Sequence, residues 1–553
     1  MTGADAIVRC LELEKVSYVF GYPGVAICPF FDSLENTDIK SILVRTEQNA
    51  AHEANGYARI SGKPGVCAVT SGPGATNVIT GIATAFADSI PLIVITGQVE
   101  SRLLGSDVFQ EADICGASES FVKYSYTLRN AEEIPKVFKE AFHIAMTGRK
   151  GPVLIDIPID VQKASLRKFQ YPDDLKMRTY KPTVQGNPVQ IKRLFQRLLS
   201  VKKPILCVGG GVHLAGASEK VREFSHKFNI PVVSTMMGLG TMQDQDPLYF
   251  GMVGNNGRSY GNKAMNRAEL IIMMGARVAD RSISQPDLIT ENKTLVHIDV
   301  DPAEIGKNAG PEIPLVGDLS SVLDSLLHVE AELSYPDWME ELNGIKEETE
   351  LLIEKKKKEE MNSTFVNPHY FLRELNLALQ DDAIYVADVG QNQLWSCKHY
   401  KMKNGRFLTS GGMGTMGYSL PAAIGAYFAE KENAYLEDRK NKKEIIAVMG
   451  DGAFQMSLME LATLRQYSAH VKIIVFHNGV LGLVRQYQKT AYKEHYSMID
   501  LSGNPDLSLL SKAYGLSYFS IKENKEVKDG LRAFLDKEEN GILEVFVDME
   551  ETA

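Results

Sequence analysis

Ile445-Ile-Ala-Val-Met-Gly-Asp-Gly452 is an apolar run ending in Gly450-Asp451-Gly452; 27 positions after Asp451, a second run, Val471-Lys-Ile-Ile-Val-Phe476, ends in His477-Asn478-Gly479. Each run has the length and composition of a buried strand, and the spacing leaves room for one helix between them. That is a βαβ unit with two neighbouring parallel strands. Ligands of such sheets bind outside the carboxyl ends of the strands. The Asp451 carboxylate and the Asn478 amide oxygen are therefore expected side by side at two strand tips. Oxygen donors suit Mg²⁺, and the flanking glycines let backbone N–H groups approach phosphate. The pair reads as a metal and diphosphate site.

The same alternation of short apolar runs and helical stretches occurs twice more along the 553 residues. Strands are expected at 18–20, 42–44, 66–70, 92–95 and 153–156, then at 204–208, 231–233, 270–274 and 295–300. The third set lies at 383–386, 445–448, 471–475 and 542–546. This predicts three doubly wound α/β domains with parallel central sheets, over 1–165, 189–335 and 366–553. A Lys- and Pro-bearing linker is expected near 166–188. Lys346 to Glu360, with Lys355-Lys-Lys-Lys358 between glutamates, reads as a solvated joining helix.

Lys plus Arg number 60 against 70 Asp plus Glu, a net charge of -10, which disfavours nucleic acid and anionic membranes as partners. The six cysteines are scattered without C-x-x-C spacing, which suits a reducing compartment and argues against zinc. No leader-like start and no apolar stretch of about 18 residues is seen, so a cytoplasmic enzyme without a membrane span is expected.

In the first domain, Arg45-Thr46-Glu47 follows a short strand. The run Val69-Thr-Ser-Gly-Pro-Gly-Ala-Thr-Asn77 has the glycines and proline of a tight loop, suited to close backbone approach. In the middle domain, Gly209-Gly210-Gly211 follows a strand and could cradle a pyrophosphate, although a plain glycine turn reads equally well.

Gly450-Asp451-Gly452 with His477-Asn478 resembles the thiamine diphosphate signature. Longer blocks, Phe20-Gly-Tyr-Pro-Gly24, Val69 to Asn77, Thr96-Gly-Gln-Val99, Asp107-Val-Phe-Gln-Glu111, Gly151 to Pro158 and Gly411-Gly-Met-Gly-Thr-Met-Gly417, resemble the acetolactate synthase large catalytic subunit family over nearly the whole chain. The resemblance implies thiamine diphosphate, Mg²⁺ and FAD as cofactors. It implies decarboxylation of pyruvate and carboligation of the two-carbon unit to a second 2-keto acid, giving 2-acetolactate.

By the same resemblance, Glu47 is the cofactor-activating acid, and Phe109, Gln110 and Arg281 lie near the reacting substrate. Asp451, Asn478 and the Val480 carbonyl would bind the metal. Gly24, Gly414, Met416, Gln391, Asn392, Gly450 and Gly452 would line the thiamine diphosphate. Arg149, Gly209, Gly210, Gly211, Thr235, Gly275, Arg277, Asp299 and Asp318 would contact the flavin. A homodimer or homotetramer and a small regulatory subunit are the implied partners.

The chain departs from the family at Val25, Thr46, Ile159 and Tyr487, where Gly, His, Lys and Trp are usual. His477 replaces the first Asn of the metal motif, and a Pro-Pro-Gly tail is not found after Asp548-Met-Glu-Glu-Thr-Ala553. These differences gather where an acceptor would enter. The Val25, Ile159 and Tyr487 changes motivate an alternative carboligase acting on another acceptor, such as a nucleotide-linked keto sugar; a pyruvate oxidase with a redox-active flavin is a second alternative. A non-catalytic homologue is the remaining alternative.

Overall fold

The computed structural model describes residues 1–175, 177–360, 364–439 and 442–553. Lys176 of the first linker, Lys440 and Asn441 of the third domain, and the side chains of Lys356 and Lys358 in the lysine run lie outside the described residues.

Among the described residues, eighteen strands form three six-stranded sheets, and every strand pair is parallel. The first sheet contains β1 (Tyr18–Tyr22), β2 (Lys40–Leu43), β3 (Gly65–Val69), β4 (Leu92–Gln98), β5 (Tyr124–Thr127) and β6 (Val153–Pro158). The second contains β7 (Pro204–Val208), β8 (Val232–Ser234), β9 (Tyr249–Met252), β10 (Leu270–Met274), β11 (Thr294–Asp299) and β12 (Ile313–Val316). The third contains β13 (Ile384–Ala387), β14 (Arg406–Leu408), β15 (Ile445–Gly450), β16 (Lys472–His477), β17 (Ser517–Ile521) and β18 (Gly541–Phe546).

The central strands are near-continuous Val, Ile and Leu because helices cover both faces, as in β4, buried at every position. The first sheet runs β2-β1-β3-β4-β6-β5 and the third β14-β13-β15-β16-β18-β17, the same order in each. The middle sheet runs β12-β11-β10-β7-β8-β9, the arrangement of nucleotide-binding sheets, with its order reversing between β7 and β10.

Among the described residues, 166–187 carry no helix or strand. The helix Pro336–Glu360 is not simply a solvated connector. Its first half sinks Trp338, Leu342 and Ile345 into the middle core, and the Trp338 indole donates to the Pro204 carbonyl at 2.9 Å.

The first and third domains share one core through the helices Glu47–Ser61 and Ser419–Leu436. Gly56 and Gly425 set that crossing. A Cβ on Gly56 would lie 1.9 Å from the Ala422 carbonyl oxygen, and one on Gly425 would lie 1.8 Å from that of Glu53. Only glycine at both places permits this backbone approach. Beside it, the Tyr418 hydroxyl donates to Asn55 at 2.9 Å. Arg59 joins Asp88 at 2.6 Å, and Asp88 in turn accepts the N–H groups of Gly411 and Gly412.

Candidate active site

Asp451 begins the helix that follows β15, and Asn478 follows β16. The two strands pair directly, with Gly450 opposite Phe476. One Asp451 oxygen accepts the Gly479 N–H at 2.8 Å and the Asn504 amide at 2.9 Å; the other accepts the Gly452 N–H at 2.9 Å. Asn478 Oδ1 faces the Val480 N–H at 3.1 Å. Burial pushes the Asp451 carboxyl above its ordinary pKa. A buried carboxylate, an amide oxygen and a turn carbonyl make an all-oxygen set that fits Mg²⁺. Among the described residues, no group of three or more His, Cys, Asp or Glu is placed to hold a metal.

Gln391 reaches this site: its Oε1 accepts from Asn478 at 3.3 Å, while its Nε2 donates to the Glu551 carbonyl at 2.7 Å. Asn392 donates to the Asp388 and Val448 carbonyls. Met416 extends toward Gly452, its Cε 3.7 Å from where a Cβ would stand. The loop bearing Met416 turns through Gly414 and Gly417, at φ 70° and 82°. It is held by Asp388, which accepts the N–H groups of Gly417 (2.9 Å) and Ser419 (2.8 Å).

Glu47 opens the helix Glu47–Ser61, capped by Thr46. Its Oε2 accepts from Asn77 at 3.1 Å, and Gly74 lies against its Oε1. Gly24 abuts Thr70. Gln110 packs on Gly72 with a left-handed φ of 60°, and Phe109 beside it is 87% exposed. Glu111 draws that loop together by accepting the Gly105 and Val108 N–H groups. Among the described residues, no hydrogen bond links this cluster to the Asp451 cluster. The Glu47 cluster belongs to the first sheet and the Asp451 cluster to the third.

In the middle domain, Gly209-Gly211 and Gly275 lie after β7 and β10, at the point where the strand order reverses. The Gly211 N–H donates to the Gly275 carbonyl at 2.9 Å, so these glycines bring the two turns together. Thr235 follows β8, its N–H on the Val208 carbonyl. Arg149 reaches across from the first domain to Asp301 and Glu304, at 3.3 and 3.0 Å. Asp299 is pushed up to about 6 by burial, and Asp318 caps the helix Leu319–Leu327. Arg277 and Arg281 are exposed on the loop after β10, Arg281 with Asp280 at 3.9 Å. Glycine turns at the switch point, with the exposed Arg277 and Arg281 on the loop beside them, fit a flavin dinucleotide.

Sequence reading passed over Asp388 and Asn504, and gave Thr70 and Asn77 no role beyond their place in the tight loop. Asp388 had a legible signal, an acid directly after an apolar strand. Asn504 had none, since it arrives from a distant loop.

Two like sheets, one presenting a carboxylate beside a glycine loop and the other an Asp–Asn pair, define a thiamine pyrophosphate (thiamine diphosphate) enzyme. Family models of that class match in order: the N-terminal TPP binding domain at 1–117, the central domain at 191–326 and the C-terminal TPP binding domain at 388–545. The chain belongs to the thiamine pyrophosphate enzyme family, in its acetolactate synthase large-subunit branch. It is 40% identical to the probable acetolactate synthase large subunit of Methanocaldococcus jannaschii, covering 99% of this chain and 92% of the relative. It is 38% identical to the acetolactate synthase large subunit of Lactococcus lactis (100% and 93% covered) and 39% identical to that of Haemophilus influenzae (100% and 95%). Among the described residues, no helix is long and apolar enough to cross a membrane.

Proposed function

We propose that this chain is the catalytic subunit of an acetolactate synthase, decarboxylating pyruvate and joining the two-carbon unit to a second pyruvate to give 2-acetolactate. The observation that carries the proposal is the Asp451–Asn478 pair on adjacent strand tips, joined through the Gly479 N–H, in a chain similar throughout to acetolactate synthases. Asp451, Asn478 and the Val480 carbonyl would hold Mg²⁺, with Gln391, Asn392, Gly450 and Gly452 around the diphosphate. Thiamine diphosphate, when bound, supplies the electron sink for decarboxylation.

The chain's own residues do the rest. Glu47 would hold a proton for the cofactor's pyrimidine, Met416 and the Gly414 carbonyl would hold the cofactor, and Gly24 would allow its close approach. Phe109 and Gln110 border the substrate, and the Arg281 guanidinium orients the acceptor carboxylate. Gly209, Gly210, Gly211, Thr235, Gly275, Arg277, Arg149, Asp299 and Asp318 would hold FAD, in a structural role because the reaction has no net redox change. As the resemblance to acetolactate synthases implies, the first domain of one subunit would face the third domain of another, so that the minimal unit is a homodimer. The relatives' designation as large subunits supports a smaller regulatory partner.

Incubation with pyruvate alone tests the reading. Acetolactate is the expected product. CO₂ release without acetolactate would favour the second reading, another acceptor, which the exposed Tyr487 and Val25 support. Oxygen uptake would point to oxidation.

A further inference from the structure

His477 stands where the family has asparagine, and the structure gives it partners. It closes β16, next to Asn478. Its Nδ1 donates to Glu544 Oε1 at 2.5 Å, and its ring stacks on Phe546 with centroids 5.0 Å apart. The His477 carbonyl accepts the Val547 N–H at 3.0 Å. Glu544 lies within β18, opposite Val475 of β16 and Ser520 of β17, and is 5% exposed. A carboxylate so buried must be matched by donors. Its second oxygen is matched by the Tyr518 hydroxyl at 2.6 Å. Three strands thus converge on one side chain. The turn 477–480 is consequently fastened at both ends, to Glu544 through His477 and to Asp451 through the Gly479 N–H.

We propose that Glu544, acting through His477 and steadied by Tyr518, is a positioning residue that aims the Asn478 oxygen and the Val480 carbonyl at the metal. The proposal rests on the assignment of the metal site to Asp451 and Asn478. Partners of this kind behind a ligand fix its orientation and raise affinity without touching the ion.

The test is equilibrium binding of Mn²⁺, followed by the resonance of the free ion, to the full-length protein with thiamine diphosphate present. Glu544→Gln keeps the shape and loses the charge; the Mn²⁺ dissociation constant should rise about 10- to 100-fold with the circular dichroism spectrum unchanged. His477→Asn cuts the same link from the other side and should weaken binding similarly. The double variant should be no worse than either single one, because one link is lost once. Tyr518→Phe should cost about threefold. Asp451→Ala separates the two claims. If it binds Mn²⁺ like wild type, the site assignment fails. If it loses Mn²⁺ while Glu544→Gln and His477→Asn bind like wild type, or if their effects add, the positioning role is overturned and the site stands. Should Glu544→Gln not fold, His477→Asn with Tyr518→Phe decides the matter by the same criteria.

Discussion

The first and third domains thread their sheets identically, yet they present different chemistry. The helix after β2 begins with Glu47. The segment after β14, its counterpart in the third sheet, is the 411–417 loop leading to the helix Ser419–Leu436. Those two counterpart helices are the ones that cross. Their contacts are reciprocal: Gly56 against Ala422 and Gly425 against Glu53. The chain therefore holds two versions of one architecture related by a local twofold. At β3 and β15 the divergence is sharpest, since one strand leads to the glycine loop near Glu47 and the other to Asp451. Topology sets where a ligand can sit, and the strand-end residues decide which half of the chemistry each domain supplies.

The largest effect that would sharpen this contrast is on catalysis. Glu47→Gln should lower acetolactate formation by about 10²- to 10⁴-fold while thiamine diphosphate binding, measured by fluorescence titration, stays near wild type. An equally active variant would remove the division of labour between the domains. Next comes the crossing. Gly425→Val puts side-chain atoms into the Glu53 carbonyl and should cost about 1–3 kcal/mol or more, seen as a lower Tm. An unchanged Tm would mean the helices do not need that approach.

The third is a pH effect, read from one buried acid of the first domain and one of the third. Burial raises Asp156 to about 7 and Asp388 to about 6. An acid raised on folding holds its proton more tightly in the native state. Its stabilisation is complete below the ordinary value of 3.8 and is lost as pH climbs through the folded value. Stability should therefore fall from about pH 4 to about pH 7, and Asp156→Asn should flatten that slope in thermal unfolding. The same slope in both proteins would refute it.

The smallest effect concerns how the two helices begin. Thr46 caps its helix with its own side chain, and Thr46→Ala should cost about 1 kcal/mol. The Ser419–Leu436 helix has no side-chain cap next to it and relies on the distant Asp388. Asp388→Ala should cost more than Thr46→Ala in denaturant titration.

Sequence alone yields the central strands but passes over β5, β9, β12, β14 and β17. All five are sheet edges. β5, β12, β14 and β17 are only partly covered, so they lack the continuous apolar run that marks a strand buried on both faces; β9 is buried throughout but spans only four residues with a glycine inside. β5, Tyr124-Ser-Tyr-Thr127, is half-buried at each position. The Asp451–Asn478 pair was legible because a single βαβ unit fixes it. Asn504 was not, because it reaches Asp451 from a distant loop. Nor was the helix crossing, since Gly56 reads as one more helical glycine until Ala422 arrives beside it.

That crossing also fixes an order in time. Asn55 and its partner Tyr418 are 363 positions apart. At about 5–20 residues per second, the first domain waits roughly 20–70 s after leaving the ribosome before the third can cover its small-residue face. Throughout that interval the helix Glu47–Ser61 has its small-residue face uncovered, and the shared core of the two domains can close only once the third is made.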